Sequence, residues 1–101
     1  DEILVAEQAG AVVGFLSLES HREGEPPFLY LDDFSVAAAC RGQGIGSRLL
    51  DMAEEYAAAL GLGEIHLHVE RDNLGARRLY RRRGFGVLAE QGARLLLGKK
   101  L

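Results

Sequence analysis

The sequence has no tryptophan, two prolines and a single cysteine, Cys40, among its 101 residues. One cysteine excludes an internal disulfide and is typical of a reducing compartment, so we expect a cytoplasmic location. No apolar run approaches the ~18 residues that a membrane-spanning helix needs, so no membrane contact is expected. The first residues lack the basic segment that begins a signal peptide. These absences favour a globular protein that folds as one domain over residues 1–101.

Charge is unevenly placed along the chain. Residues 1–33 contain eight acidic side chains and one basic side chain, a charge of −7. Residues 34–101 contain seven acidic and eleven basic side chains, a charge of +4, and the two parts sum to −3. An acidic region beside a basic one suits a cationic acceptor on one side and an anionic cofactor on the other, but two solvated faces would give the same pattern.

The periodicity of apolar residues predicts an alternation of strands and helices. Strands are predicted over residues 3–7, 11–18, 28–36, 64–70, 85–90 and 94–98, and helices over residues 47–60 and 73–83. The order β-β-β-α-β-α-β-β predicts the α/β class, with a mixed, mostly antiparallel sheet around a central β-α-β unit. Strands 28–36 and 64–70 should therefore be parallel neighbours.

A glycine-rich turn, Arg41-Gly42-Gln43-Gly44-Ile45-Gly46, lies between a predicted strand and a predicted helix. The N–H groups at a helix N-terminus lack partners and carry partial positive charge, so such a turn favours an anion, most often a phosphate. No lysine follows Gly46, which excludes the P-loop of NTPases. The alternate glycines also lack the spacing of a dinucleotide-binding turn.

Three segments, in this order along the chain, resemble the GNAT superfamily of acyl-CoA-dependent N-acetyltransferases. Tyr30–Val36 is similar to the strand that leads into the family's pyrophosphate loop. Arg41–Gly46 resembles that loop, with the pattern Arg-x-x-Gly-x-Gly. Asn73–Phe85 has the asparagine, tyrosine and Gly-Phe of a later family segment at family spacing. The resemblance implies acetyl-CoA as the cosubstrate and a sheet whose strands 28–36 and 64–70 splay apart to admit the pantetheine arm.

Family members usually begin with another strand and two helices, whereas this sequence starts close to the family's second strand. The chain is therefore expected to be a minimal or truncated member, or to receive the missing segment from a partner subunit. A small core and exposed edge strands favour a homodimer.

The resemblance also implies which residues bind the cofactor. N–H groups of the turn face the pyrophosphate, and the preceding strand pairs with the pantetheine like an added strand. Asn73 supports the cofactor or simply caps the second helix. The expected cofactor-binding residues are Phe34, Ser35, Val36, Arg41, Gly42, Gln43, Gly44, Ile45, Gly46, Ser47, Asn73 and Tyr80.

Two residues are candidates for catalysis. Tyr80 lies where the family places a tyrosine near the CoA sulfur, and a phenol can protonate a leaving thiolate. The alternative is a core tyrosine. Asp32 matches the position of the acid that deprotonates the amine, with Asp33, Glu70 or water as alternatives. Strict alternation along the strand predicts that Asp32 and Asp33 point to opposite faces.

Other side chains suggest functions that we weigh less. His66, His68 and Glu70 share one predicted strand face, but no fourth ligand is evident and no metal is expected. Cys40 is expected to be a small buried packing residue rather than a nucleophile, because no adjacent histidine activates it. Five arginines on the second helix provide a basic surface. Some of them are candidates for contact with the 3′-phosphate of CoA, and most are expected to form a solvated face. Few aromatics lie among them, so nucleic acid is not an expected partner. Those arginines are Arg77, Arg78, Arg81, Arg82 and Arg83.

The predicted function is transfer of an acetyl group from acetyl-CoA to a primary amine by direct attack in a ternary complex. The acidic N-terminal third favours a cationic acceptor such as a polyamine, a lysine or a peptide N-terminus. The alternative is a catalytically inactive, CoA-binding or regulatory module with the same fold.

Overall fold

A computed structural model describes all residues from Asp1 to Leu101. The strands are β1 (Glu2–Gln8), β2 (Ala11–His21), β3 (Phe28–Val36), β4 (Glu64–Glu70), β5 (Gly86–Gln91) and β6 (Arg94–Lys100). The helices are α1 (Ile45–Ala59) and α2 (Leu74–Arg82), and a short 3₁₀ turn covers Ala38–Cys40. Neither α-helix has the length and apolar character that a transmembrane span requires.

All six strands form one sheet with the order β1-β2-β3-β4-β6-β5. Only the β3–β4 pair is parallel, and α1 connects these two strands. The prediction of a mixed, mostly antiparallel sheet around a β-α-β unit is therefore confirmed.

Both helices pack on one face of the sheet, which we call the helix face. The buried stripe of α1 consists of Leu49, Leu50, Ala53 and Ala57. In α2 the buried residue is Tyr80. The 3.6-residue period of apolar positions gives α1 this stripe. These side chains belong to a single cluster of 16 buried residues. The sheet contributes Leu16, Leu18, Leu29, Leu31, Ile65, Leu67, Val69, Leu95 and Leu97 to it.

The opposite face carries no helix, and we call it the open face. Tyr30 lies there, because it alternates with the buried Leu29 and Leu31. In the sheet register Glu19 and His66 lie beside Tyr30 on the neighbouring strands. The open face is thus a polar and aromatic surface that the helices leave accessible.

A bulge in β3 was not predicted from the sequence. Asp32 and Asp33 both lie opposite a single residue of β2, Ser17. The extra residue shifts the alternation, so Phe34 packs against the same core as Leu31, three positions earlier. The expectation that the two aspartates point to opposite faces rested on strict alternation, and that alternation is interrupted at this bulge.

Most element boundaries agree with the prediction. α1 begins at Ile45, two residues before the predicted start at Ser47, because Gly44 adopts a φ of 78° and is the N-cap. β2 continues to His21, three residues beyond its predicted end. The apolar pattern of β2 stops at Leu18, so only its pairing with β3 shows the extension.

Candidate functional site

The gap between β3 and β4 is the first element of the site. The two strands pair only from Leu29 with Ile65 to Leu31 with Leu67. Both strands continue beyond this point, to Val36 and to Glu70, but β3 stays paired with β2 and β4 with β6. We call the resulting opening the fork. It lies where the β3 bulge bends the strand and where a narrow ligand can pass between the two faces.

The glycine-rich turn forms the second element. Gly42 and Gly44 have φ angles of 81° and 78°, and a side chain at either position would meet nothing within 4 Å. Their glycine identity therefore follows from backbone conformation rather than from lack of space. Gly46 differs, because a Cβ there would lie 3.4 Å from the ring of Phe34. At that distance a Cβ would make an ordinary van der Waals contact, so the first turn of α1 lies against β3 without a steric need for glycine.

The backbone N–H groups of this turn have no protein partner. No N–H group from Gly42 to Ser47 donates to a backbone acceptor, and α1 has no side-chain cap. Arg48 is the next residue whose N–H is bonded, at 3.0 Å from the carbonyl oxygen of Gly44. Arg41 stands beside the turn and donates through Nε to the carbonyl of Val36 at 3.3 Å. A row of free donors at a helix N-terminus can bind an anion.

A cavity of about 700 Å³ adjoins the turn and the fork. It contains two arginines and no carboxylate, so its charge favours a polyanionic ligand. Its lining consists of Phe34, Ser35, Val36, Cys40, Arg41, Gly42, Gly44, Ile45, Gly46, Ser47, Asn73, Gly75, Ala76, Leu79, Tyr80 and Arg82. A second hollow, of about 510 Å³, lies over residues 20–24 and Phe28 and contains no predicted site residue.

The cavity brings together every residue expected to bind the cofactor except Gln43. The side chain of Gln43 instead accepts a hydrogen bond from Gln8 Nε2 at 3.0 Å, which ties the turn to β1. Cys40 lines the cavity half-buried, with Sγ 3.7 Å from Gln8 Oε1. Leu79 was not expected, and Arg82 was not singled out among the five arginines of the second helix. Their spacing from Gly75 and Ala76 along α2 explains why they face the same way.

Tyr80 combines a buried ring with a hydroxyl at the cavity. The residue is 7% exposed, and its ring packs against those of Phe85 and Phe34 at 5.7 and 6.4 Å. Its hydroxyl has no protein partner, and no buried polar side-chain atom lacks one, so this oxygen is in contact with the cavity. Burial raises the pKa of Tyr80 to about 12. The phenol therefore stays protonated at neutral pH, as an acid must.

Asn73 caps α2. Its Oδ1 accepts a hydrogen bond from the N–H of Ala76 at 3.2 Å, which fixes the start of the helix. The cap uses one lone pair of Oδ1, so the amide nitrogen and the second lone pair of the oxygen remain for a ligand in the cavity.

The aspartates lie outside the cavity. Asp32 and Asp33 are exposed at the bulge, and neither lines the cavity. The charge of Asp32 nevertheless acts on Tyr30: burial raises the pKa of the Tyr30 phenol, and the carboxylate of Asp32 adds to the rise. Asp32 follows the buried Leu31 along β3, so it lies on the open-face side of the fork, whereas the cavity lies on the helix side.

A tyrosine–histidine pair was missed from the sequence. Tyr30 Oη forms a hydrogen bond with His68 Nδ1, and His68 Nε2 lies 2.7 Å from Gln91 Oε1. His66, by contrast, bonds Glu64 at 2.9 Å and stacks on Phe28 at 4.0 Å. Alternation placed both histidines on one face, but the partner of each depends on the register between β3 and β4, which periodicity does not give.

The arginines of α2 separate into different roles. Arg83 pairs with Asp51 and with Glu54, the latter at 3.0 Å, and Lys99 joins Glu54 at 2.9 Å. This cluster fastens α2 and β6 to α1. Arg82 alone among the five lines the cavity.

Comparisons with known proteins agree with this geometry. The sequence profile of the Acetyltransferase (GNAT) family matches residues 1–85. A mycothiol acetyltransferase of Jonesia denitrificans is 35% identical over 81 residues, which are 80% of this chain and 25% of that protein. The uncharacterized N-acetyltransferase YhfO of Bacillus subtilis is 35% identical over 85 residues, which are 82% of this chain and 57% of that protein.

Among solved structures, PaiA N-acetyltransferase of Thermoplasma acidophilum, in complex with coenzyme A, superposes with a TM-score of 0.87 and 25% identity. The match covers 98% of this chain and 60% of that one. This chain thus spans at most 60% of these three proteins. The family match, the sheet order and the glycine-rich turn together lead to one conclusion: the chain belongs to the acetyltransferase (GNAT) family.

Proposed function

We propose that this chain is an acetyl-CoA-dependent N-acetyltransferase, which transfers an acetyl group to a primary amine by direct attack in a ternary complex. The row of unpaired N–H groups from Gly42 to Ser47, open to a cavity without carboxylates, is the observation that carries the proposal. A pyrophosphate has the negative charge and the acceptor oxygens to which these N–H groups can donate hydrogen bonds. The coenzyme A bound to the similar PaiA protein supports this choice of ligand.

The free edge of β3 would hold the pantetheine arm. From Phe34 to Val36 the strand is paired with β2 on one side only, because β4 has already separated. An extended ligand with amide groups can hydrogen-bond such an edge as an added strand would. The thioester at the end of the arm then reaches the fork, beside the hydroxyl of Tyr80.

Tyr80 would act as the general acid. When the amine attacks the thioester carbonyl, a C–N bond forms, the C–S bond breaks, and the departing thiolate needs a proton. The Tyr80 phenol is protonated at neutral pH, and its oxygen has no competing protein partner. The apolar ring contacts hold the hydroxyl in position while this transfer occurs.

The amine would enter from the open face. The helix side of the fork is occupied by the donor cavity, so the other side is where an acceptor can approach the same carbonyl. Asp32 lies on that side, and its negative charge attracts an ammonium group. The family resemblance makes Asp32 a candidate proton acceptor, and Asp32→Asn tests that role: an unchanged pH dependence of turnover would leave Asp32 only the attraction of the ammonium and would assign the proton to another group.

Binding and turnover measured together test the proposal. Calorimetry with CoA and acetyl-CoA should give saturable binding to one site, and free-thiol release should depend on an added amine from a panel of polyamines, lysine and peptide N-termini. Binding without thiol release for any amine would favour the inactive CoA-binding module. Absence of CoA binding would contradict both functions.

A further inference from the structure

Tyr30 and His68 form a polar pair at the mouth of the fork on the open face. Tyr30 lies in the last stretch where β3 and β4 are paired, and His68 lies one residue beyond the last paired residue of β4, Leu67. Both side chains are partly buried, and Tyr30 Oη is hydrogen-bonded to His68 Nδ1. The pair therefore flanks the opening through which we expect the amine to reach the thioester.

The hydrogen bonds of His68 define its tautomer. Gln91 Oε1, 2.7 Å from Nε2, can only accept a hydrogen bond, so Nε2 carries the proton in the neutral ring. Nδ1 then has a free lone pair and accepts the O–H of Tyr30. A neutral imidazole with its basic nitrogen directed at a phenol is suited to take up a proton through that phenol.

We propose that His68, acting through Tyr30, accepts the proton of the acceptor ammonium, and this inference rests on the proposed acetyltransferase function. The ammonium donates an N–H to Tyr30 Oη while the phenol proton moves to His68 Nδ1. The products are a neutral amine, whose lone pair attacks the thioester carbon, and an imidazolium that later releases its proton to water. Tyr30 touches the substrate and is a catalytic residue, whereas Gln91 is a positioning residue.

The groups around the pair support a cationic substrate. Burial raises the pKa of the Tyr30 phenol, which favours the protonated phenol over a tyrosinate. Negative charge nearby stabilises an ammonium at the phenol oxygen. The charged and titratable side chains on this face near the pair are Glu19 and His21 of β2, Asp32 of β3, His66 and Glu70 of β4, and Arg94 of β6. Asp32 then attracts the ammonium, and His68 receives its proton.

The test compares the pH dependence of kcat at saturating acetyl-CoA and amine for the wild type and His68→Gln. Glutamine keeps a hydrogen-bonding group but takes up no proton. The wild type should lose kcat on the acid side of its pH profile, because a protonated His68 cannot accept the proton of the substrate. His68→Gln should lower kcat by about 10²–10⁴-fold, which is the range ascribed to general-base catalysis. It should also remove this acid limb.

His66→Gln is the matched control, because His66 lies on the same strand and face but bonds Glu64 rather than Tyr30. It should keep kcat within about threefold of the wild type and retain the acid limb, as a residue outside the proton path would. Tyr30→Phe is the second variant. It should reproduce the loss seen in His68→Gln, and the double variant should lose little more, because both changes interrupt one path.

Two outcomes would overturn the inference. His68→Gln could keep the acid limb even if kcat falls, as a structural role would, or its losses could add to those of Tyr30→Phe. In each of these cases amine-dependent thiol release by the wild type would leave the acetyltransferase proposal intact. A wild type that binds acetyl-CoA but acetylates no amine would contradict the acetyltransferase proposal. The inference about His68 would then fall too, because it rests on that proposal.

Discussion

Replacement of Tyr80 by phenylalanine should separate turnover from binding. The substitution removes one oxygen and leaves the buried ring in contact with Phe34 and Phe85. Because the hydroxyl has no protein partner, its loss should change the free energy of unfolding by no more than about 0.5 kcal/mol. Because the same hydroxyl is the proposed acid, kcat should fall by about 10²–10⁴-fold, or about 3–5 kcal/mol of transition-state stabilisation.

The assay is free-thiol release at saturating acetyl-CoA and amine, with the dissociation constant of acetyl-CoA measured by calorimetry. Tyr56→Phe is the control, because Tyr56 packs against the same core from α1 but does not line the cavity. It should leave both kcat and binding unchanged. A Tyr80→Phe variant with kcat within about threefold of the wild type would refute general-acid catalysis by Tyr80. So would a fall in turnover fully explained by weaker acetyl-CoA binding.

Three further predictions follow from the same geometry. The native state keeps the Tyr80 proton up to a pKa of about 12, whereas unfolded chains lose theirs near pH 10. The free energy of unfolding should therefore fall with rising pH in this window, by about 1.4 kcal/mol per pH unit, and Tyr80→Phe should remove this part of the fall in urea titrations. Asn73→Ala should destabilise the protein by about 1 kcal/mol in the same titrations, because the cap of α2 is lost. Arg82→Gln should weaken CoA binding by about 5–10-fold at low salt and less at high salt. Arg78→Gln, on the same helix but outside the cavity lining, should not weaken it, and equal effects of the two substitutions would contradict a direct role for Arg82.

The sequence was sufficient to predict the order of elements and the glycine-rich turn. Apolar periodicity identified β3, α1 and β4, and their order predicted the parallel pair that frames the fork. Alternate glycines between a strand and a helix indicated free amides, and the turn from Gly42 to Ser47 has them. These features depend on residues close in sequence, so local patterns reveal them.

Features that depend on pairing between distant residues could not be predicted. The bulge at Asp32 and Asp33 arises from the register of β3 on β2, and neither aspartate departs from the strand pattern. Likewise, the contact between Tyr30 and His68 joins residues 38 positions apart and requires the register of β3 on β4. The sequence-based search for a base therefore centred on Asp32, whereas the hydrogen-bonded pair of Tyr30 and His68 lies beside it at the fork.

The lining of the cavity shows the same limit. The residues of the turn were expected, but Arg82 was indistinguishable from its arginine neighbours in the sequence. Only the packing of α2 against α1, through Arg83, Asp51 and Glu54, determines which arginine faces the cavity. Helical spacing alone left the five arginines spread around the helix.

Calorimetric titration of CoA into Gly44→Val, with Gly61→Val as its control, tests the central claim most directly. Both glycines have positive φ, 78° and 73°, and open space around the Cβ position, at opposite ends of α1. The two valines should therefore strain the backbone alike, but only the first disturbs the free amides of the turn. The account predicts that Gly44→Val abolishes measurable CoA binding in a chain that remains folded, and that Gly61→Val binds as the wild type does. Wild-type affinity in Gly44→Val would show that the turn does not hold the pyrophosphate.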